Sequence, residues 1–155
     1  VKLILCANNS LGSWSLRAVM WSRYSHSAIL DEDTSMVYDS TMLQGGVRKT
    51  FVAEWLDHYP DREVREINII DVAGARAWLD AQVGKPYDWT ALLGIALHRN
   101  WQEPDRWFCS ELAETVVSLF GVPRFRTDLA RITPRHQDML ADWRMAIAAR
   151  EALNS

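Results

Sequence analysis

The side chains best placed to do chemistry surround Cys109, in the run Asp105-Arg106-Trp107-Phe108-Cys109-Ser110-Glu111-Leu112. Leu112, Val116, Leu119 and Phe120 then recur at helical spacing, and Gly121 follows. The pattern predicts a helix over Phe108–Phe120, with Cys109 in its first turn. Backbone N–H groups in a first turn lack intrahelical partners and carry partial positive charge. That field favours a thiolate, and the N–H groups of Cys109 and Ser110 can face a developing oxyanion. The chemistry would be nucleophilic attack on a carbonyl. The competing reading is a buried core thiol, because free cysteines are commonly buried. Cys6, in the middle of a strand-like run, has no such context and reads as core.

A thiol nucleophile needs a base. There are four histidines. His58 precedes Tyr59-Pro60 in a turn, His98 ends a helix-like stretch beside Arg99, and His136 opens the last helix; all three read as surface residues. His26 lies on a predicted strand, where a rigid backbone could hold its ring against a cysteine on a helix end. A structural role for a lone strand histidine competes with this reading. Asp39, in Val37-Tyr38-Asp39-Ser40, falls on the next strand. A turn near Asp31 to Thr34 brings it close to the His26 level, where it could orient the imidazole. Its competing reading is a solvated strand-end carboxylate.

The elements that must position these groups follow from the pattern. Strands are predicted at Lys2–Ala7, Ser25–Leu30, Met36–Ser40, Val47–Val52 and Glu63–Ile70. Helices are predicted at Trp14–Ser22, Ala53–His58, from an Asp71 cap to Val83, Trp89–His98, Phe108–Phe120, and from Pro134 to about Leu153. The sum is an α+β domain with a small, mainly antiparallel sheet packed with helices, spanning residues 1–155 as one domain. Trp14, Trp21, Trp55, Trp78 and Trp143 lie in helix-like stretches and are expected in the core. Trp89, Trp101 and Trp107 bracket Cys109 and are expected to line a groove.

The bulk numbers exclude several classes. Of 155 residues, 48% are hydrophobic and 24% charged, as in ordinary globular proteins. A net charge of -3 gives no basic face for nucleic acid and no polybasic signal for anionic lipid. Two cysteines do not make a disulfide framework, and no apolar run is long enough to span a membrane. No closely spaced Cys/His pair suggests a metal, and no glycine-rich loop suggests a phosphate. Val1 to Cys6 lacks the charge and length of a signal peptide. A soluble protein, cytoplasmic or virion-associated, is expected. Export stays open because the sequence begins with Val.

Four segments then occur in a telling order: Ser25-His26-Ser27-Ala28-Ile29-Leu30, Val37-Tyr38-Asp39, Gly84-Lys85-Pro86-Tyr87-Asp88-Trp89, and Phe108-Cys109-Ser110-Glu111-Leu112. Over roughly residues 1 to 135 this resembles the circularly permuted branch of the NlpC-type, papain-like cysteine peptidase superfamily, the YiiX-like proteins. Lecithin retinol acyltransferase-like enzymes are more distant relatives. In that branch the histidine strand precedes the cysteine helix, as here. The resemblance implies a permuted papain-like fold and a Cys109-His26-Asp39 triad working without metal or organic cofactor. Many members carry Glu at the third position, so Asp39 is one carbon shorter. Tyr87 matches a tyrosine that precedes the cysteine segment, implying a substrate-binding role beside Trp107 and Ser110. Glu111 is implied to tie down the helix start. The implied activity is hydrolysis of an amide, in a small or cell-wall peptide. A lipid acyl ester is the second substrate class, and a non-catalytic binding module or virion component is the reading from another class.

Overall fold

The computed structural model describes residues 1–90, 105–126, 129 and 132–140. In chain order the elements are β1 (Lys2–Ala7), α1 (Leu11–Met20), β2 (His26–Asp31), β3 (Met36–Thr41), β4 (Gly46–Phe51), α2 (Val52–His58), β5 (Asp61–Glu66), α3 (Val72–Gln82) and α4 (Cys109–Phe120). Residues 134–140 are also helical. Most of the expected Trp89–His98 helix, the end of the last helix, Trp101, Trp143 and His98 lie outside the described residues.

The five strands form one antiparallel sheet in the order β4-β3-β2-β1-β5. Alternation along the strands divides the core into two layers. Leu3, Leu5, Ile29, Tyr38 and Val47 point to one face, where Ala75 and Leu79 of α3 and Leu112, Ala113, Val116 and Val117 of α4 cover them. Ile4, Cys6, Ala28 and Val37 point to the other, against Trp55 of α2 and Tyr59. The mixed α+β architecture expected from the pattern is the one observed.

Local chemistry sets the element ends. The Ser10 hydroxyl accepts the Ser13 N–H and starts α1 three residues before the expected Trp14. Asp71 caps α3 as expected, accepting the Gly74 N–H at 2.8 Å. Gly121 ends α4 for a reason other than a left-handed turn, since its φ is -140°. A Cβ there would lie 2.1 Å from the Asn68 carbonyl oxygen, because Ile69 and Gly121 form a backbone bridge. That bridge also corrects the expected strand at Glu63–Ile70. Pairing with β1 stops at Glu66, and Ile67 and Ile69 turn inward to pack against the α3–α4 layer.

The tryptophan expectations divide. Trp55 is fully buried and Trp78 partly so, but Trp14 and Trp21 stand out in solvent. The inward side of α1 is taken by Ser13, Leu16 and Met20, which leaves no room for the larger rings.

Candidate active site

His26 is the first residue of β2, directly across from Cys6, and its side chain lies on the α2 face of the sheet. Asp39 shares that face one pleat away on β3. Its carboxylate oxygen Oδ2 lies 2.8 Å from His26 Nε2. The hairpin therefore brings the two side chains into hydrogen-bond contact, and the Asp side chain is long enough to reach.

Three further side chains hold the pair. Arg48 sits directly opposite Asp39 in the β3–β4 register and donates from Nε to Oδ1 at 2.7 Å and from Nη2 to Oδ2 at 3.2 Å. Trp55 Nε1 donates to Oδ2 at 2.9 Å. Tyr59 stacks on His26 with ring centroids 5.3 Å apart, and Trp55 stacks on Tyr59 at 4.5 Å. None of the three was singled out from the sequence. Arg48 could have been found by extending the β3–β4 hairpin from Gly45-Gly46. The spacing of Trp55 and Tyr59, four residues apart, would have placed both on one side of α2.

Asp39 is fully buried, which alone would raise its carboxyl pKa. The imidazole and guanidinium prevail and hold it down at about 2. Burial likewise works against a charged His26, but Asp39, and then Cys109, raise it to about 9. Both shifts favour the charged forms of the buried carboxylate–imidazole pair.

Cys109 arrives from the other side of the sheet. It is the first residue of α4, which packs on the face opposite α2, and it lines the same cleft as His26, near enough to help raise the imidazole pKa. Glu111 reaches back to the Phe108 N–H at 3.4 Å, which ties down the helix start from within. The segment before Cys109 is clipped in place as well. Tyr87 N–H donates to Gly45 O, Trp107 N–H to Pro86 O and Asp88 N–H to Trp107 O, and Ser40 Oγ donates to Trp107 O at 2.6 Å. A Cβ on Gly46 would fall 2.0 Å from the Lys85 carbonyl oxygen, so only glycine permits this close approach.

A cleft of about 150 Å³ opens beside the thiol. Its lining includes Ser13, Leu16, Met42, Leu43, Tyr59 and Tyr87, with His26 and Cys109. Tyr87 thus takes a place in the cleft wall, edge-on to Phe108. Trp107 and Ser110, expected as substrate-binding side chains, do not line that cleft. Trp107 packs on Trp78 and donates from Nε1 to Gln82 at 3.1 Å. Ser110 is fully buried, and its hydroxyl donates to the Ile132 carbonyl oxygen. Cys6 is core as expected: its thiol lies against the His26 carbonyl oxygen, and burial pushes its pKa well up.

No family model and no curated protein matches the chain. Among solved structures, the chain is similar to the crystal structure of the metalloprotein YiiX from Escherichia coli O157:H7, with a TM-score of 0.54 at 20% identity. The match covers 91% of this chain and 79% of that one. The fold is thus a YiiX-like α+β fold. A metal does not fit the residues of this site. Among the described residues no three His, Cys, Asp or Glu side chains converge to hold one. Both Asp39 oxygens already accept hydrogen bonds from His26, Arg48 and Trp55. Among the described residues, no helix is long and apolar enough to cross a membrane.

Proposed function

We propose that the protein is a thiol hydrolase that cleaves an amide through Cys109, His26 and Asp39. The observation that carries this reading is the buried Asp39–His26 pair, Oδ2 to Nε2 at 2.8 Å, lining one cleft with a cysteine at a helix N-terminus. A structural histidine has no need of a raised pKa, a carboxylate partner and a neighbouring thiol together.

In this reading the working pair is a Cys109 thiolate facing a His26 imidazolium. The thiolate forms a bond to the carbonyl carbon, and the carbonyl electrons move onto oxygen. The Cys109 N–H and a neighbouring donor stabilise that oxyanion. When the tetrahedral species collapses, the C–N bond breaks and His26 gives its proton to the leaving amine. Water then attacks the thioester, passing a proton to His26. The C–S bond breaks, the acid departs, and the thiolate and imidazolium are restored. Asp39 holds the ring throughout.

A small peptide amide, such as a cell-wall fragment, is the first substrate class. An acyl ester is the second, and one observation favours it: among the described residues, the cleft lining contains no Lys, Arg, Asp or Glu. A panel of neutral and charged peptide anilides and aliphatic p-nitrophenyl esters tests the reading. Release of chromophore that disappears in Cys109→Ala is expected. Equal rates for wild type and Cys109→Ala across the panel would overturn it in favour of a binding module.

A further inference from the structure

We propose that α1, with Leu43 of the facing β3–β4 turn, is a lipid-docking surface that seats the mouth of the Cys109 cleft on an anionic bilayer. The inference concerns α1 and does not depend on the chemistry at Cys109.

The starting observation is inverted amphipathicity. α1 turns Ser13, Leu16 and Met20 toward the protein. Its outer side carries Leu11 (88% exposed), Trp14 (61%) and Val19, followed by Trp21 at its end (82%). With 3.6 residues per turn, Leu11, Trp14, Ala18 and Trp21 form one outward stripe without a charge. Trp21 holds a left-handed conformation at φ 49°, so the helix ends with a strained backbone that also leaves an indole in water. Leu43 is 85% exposed on the opposite rim. Leu16 and Gly12 of α1 and Met42 and Leu43 of the turn line the same cleft, so the apolar surface is continuous with its mouth.

Charge selects the occupant. The whole chain is acidic at -3, yet residues 1–30 contain no Asp or Glu. Arg17 lies over the Trp14 ring at 5.2 Å. Arg23 lies over the Tyr24 ring at 5.1 Å, and its ion pair among the described residues is a long one to an exposed Asp61, at 3.9 Å. Tryptophan and aliphatic side chains flanked by arginine match the boundary between lipid headgroups and acyl chains. A second copy fits less well. It would face Arg17 and Arg23 with their own kind, across a helix about 15 Å long. A stable pair needs a face of about 800 Å² on each partner.

Flotation with vesicles tests the proposal, using Cys109→Ala protein so that no turnover contributes. The protein is expected to float with phosphatidylcholine vesicles containing one quarter phosphatidylglycerol, and less so with phosphatidylcholine alone or in high salt. Replacing Trp14→Ser and Trp21→Ser together should lower binding on the order of tenfold. Both are exposed, and an unchanged melting curve will show that the fold survives. Arg17→Gln with Arg23→Gln should remove the preference for the anionic vesicles. Failure of the parent protein to float, or flotation indifferent to the tryptophan pair, overturns the proposal. So does a concentration-dependent dimer in sedimentation velocity that the tryptophan pair abolishes, since the face then belongs to a second copy. Docking without turnover in the wild type would instead refute only the hydrolase reading.

Discussion

Asp39→Asn is expected to destabilise the fold by roughly 3–5 kcal/mol, the usual cost of removing one partner from a buried charge pair. The substitution preserves shape and removes charge. Arg48, mostly buried, then loses its counter-ion, and the His26 proton loses the carboxylate that retains it. The second readout is more specific. In Cys109→Ala protein, which isolates the pair, NMR titration should place the His26 midpoint above the ordinary 6.5. Adding Asp39→Asn should move it below 6.5, because burial then acts unopposed. A midpoint that stays above 6.5 would contradict the assignment of Asp39.

The same pair sets a pH window. His26 has a folded pKa of about 9 against 6.5 unfolded, so its contribution is complete below 6.5 and is lost as pH rises through 9. Asp39 has about 2 against 3.8, so its contribution is present above 3.8 and is lost as pH falls through 2. Stability from the pair should therefore be full between about pH 4 and 6.5. The two shifts share the His26–Asp39 contact, worth on the order of 2–3 kcal/mol, and they are not summed. Urea melts across pH should show the alkaline loss in Cys109→Ala protein and its absence once Asp39→Asn is added.

The second large effect is on thiol reactivity. Both thiols are buried, but Cys109, 2% exposed, lines the cleft whereas Cys6 does not, so the two provide target and internal control in one chain. Iodoacetamide at neutral pH should label Cys109 quickly and Cys6 only after denaturation. His26→Ala should slow labelling of Cys109 on the order of 10²-fold, the usual contribution of a positioned base. His26→Gln, which keeps more of the packing against Tyr59, should slow it similarly. Unchanged labelling in both variants would mean that His26 does not act on the thiol.

The parts of this site that could be read from the sequence are the local ones. A helix start can be read from the stripe Leu112, Val116 and Phe120 with its closing glycine, and that places Cys109. One hairpin places Asp39 near His26. What could not be read depends on assembly. Trp55 and Tyr59 reach Asp39 and His26 only because α2 folds back over the sheet. The destination of the Ser110 hydroxyl, Ile132, lies twenty-two residues away. Trp107 flanks Cys109 in sequence, but α3 draws its ring out of the cleft toward Trp78 and Gln82. For α1, apolar residues on both sides gave a helix without saying which side faces in. Ser13, Leu16 and Met20 took the interior, and that outcome exposes the stripe now assigned to lipid.

The opening feature of the sequence, a cysteine at a helix start, is also where the account can be tested most directly. Wild-type protein is mixed with an aliphatic p-nitrophenyl ester, quenched in acid within the first turnover, and analysed by intact mass and peptide mapping. An added acyl group on Cys109 that decays with further incubation is expected, together with its absence in Cys109→Ala. An acyl group found on another residue, or none in wild type alongside ester turnover, would contradict that expectation.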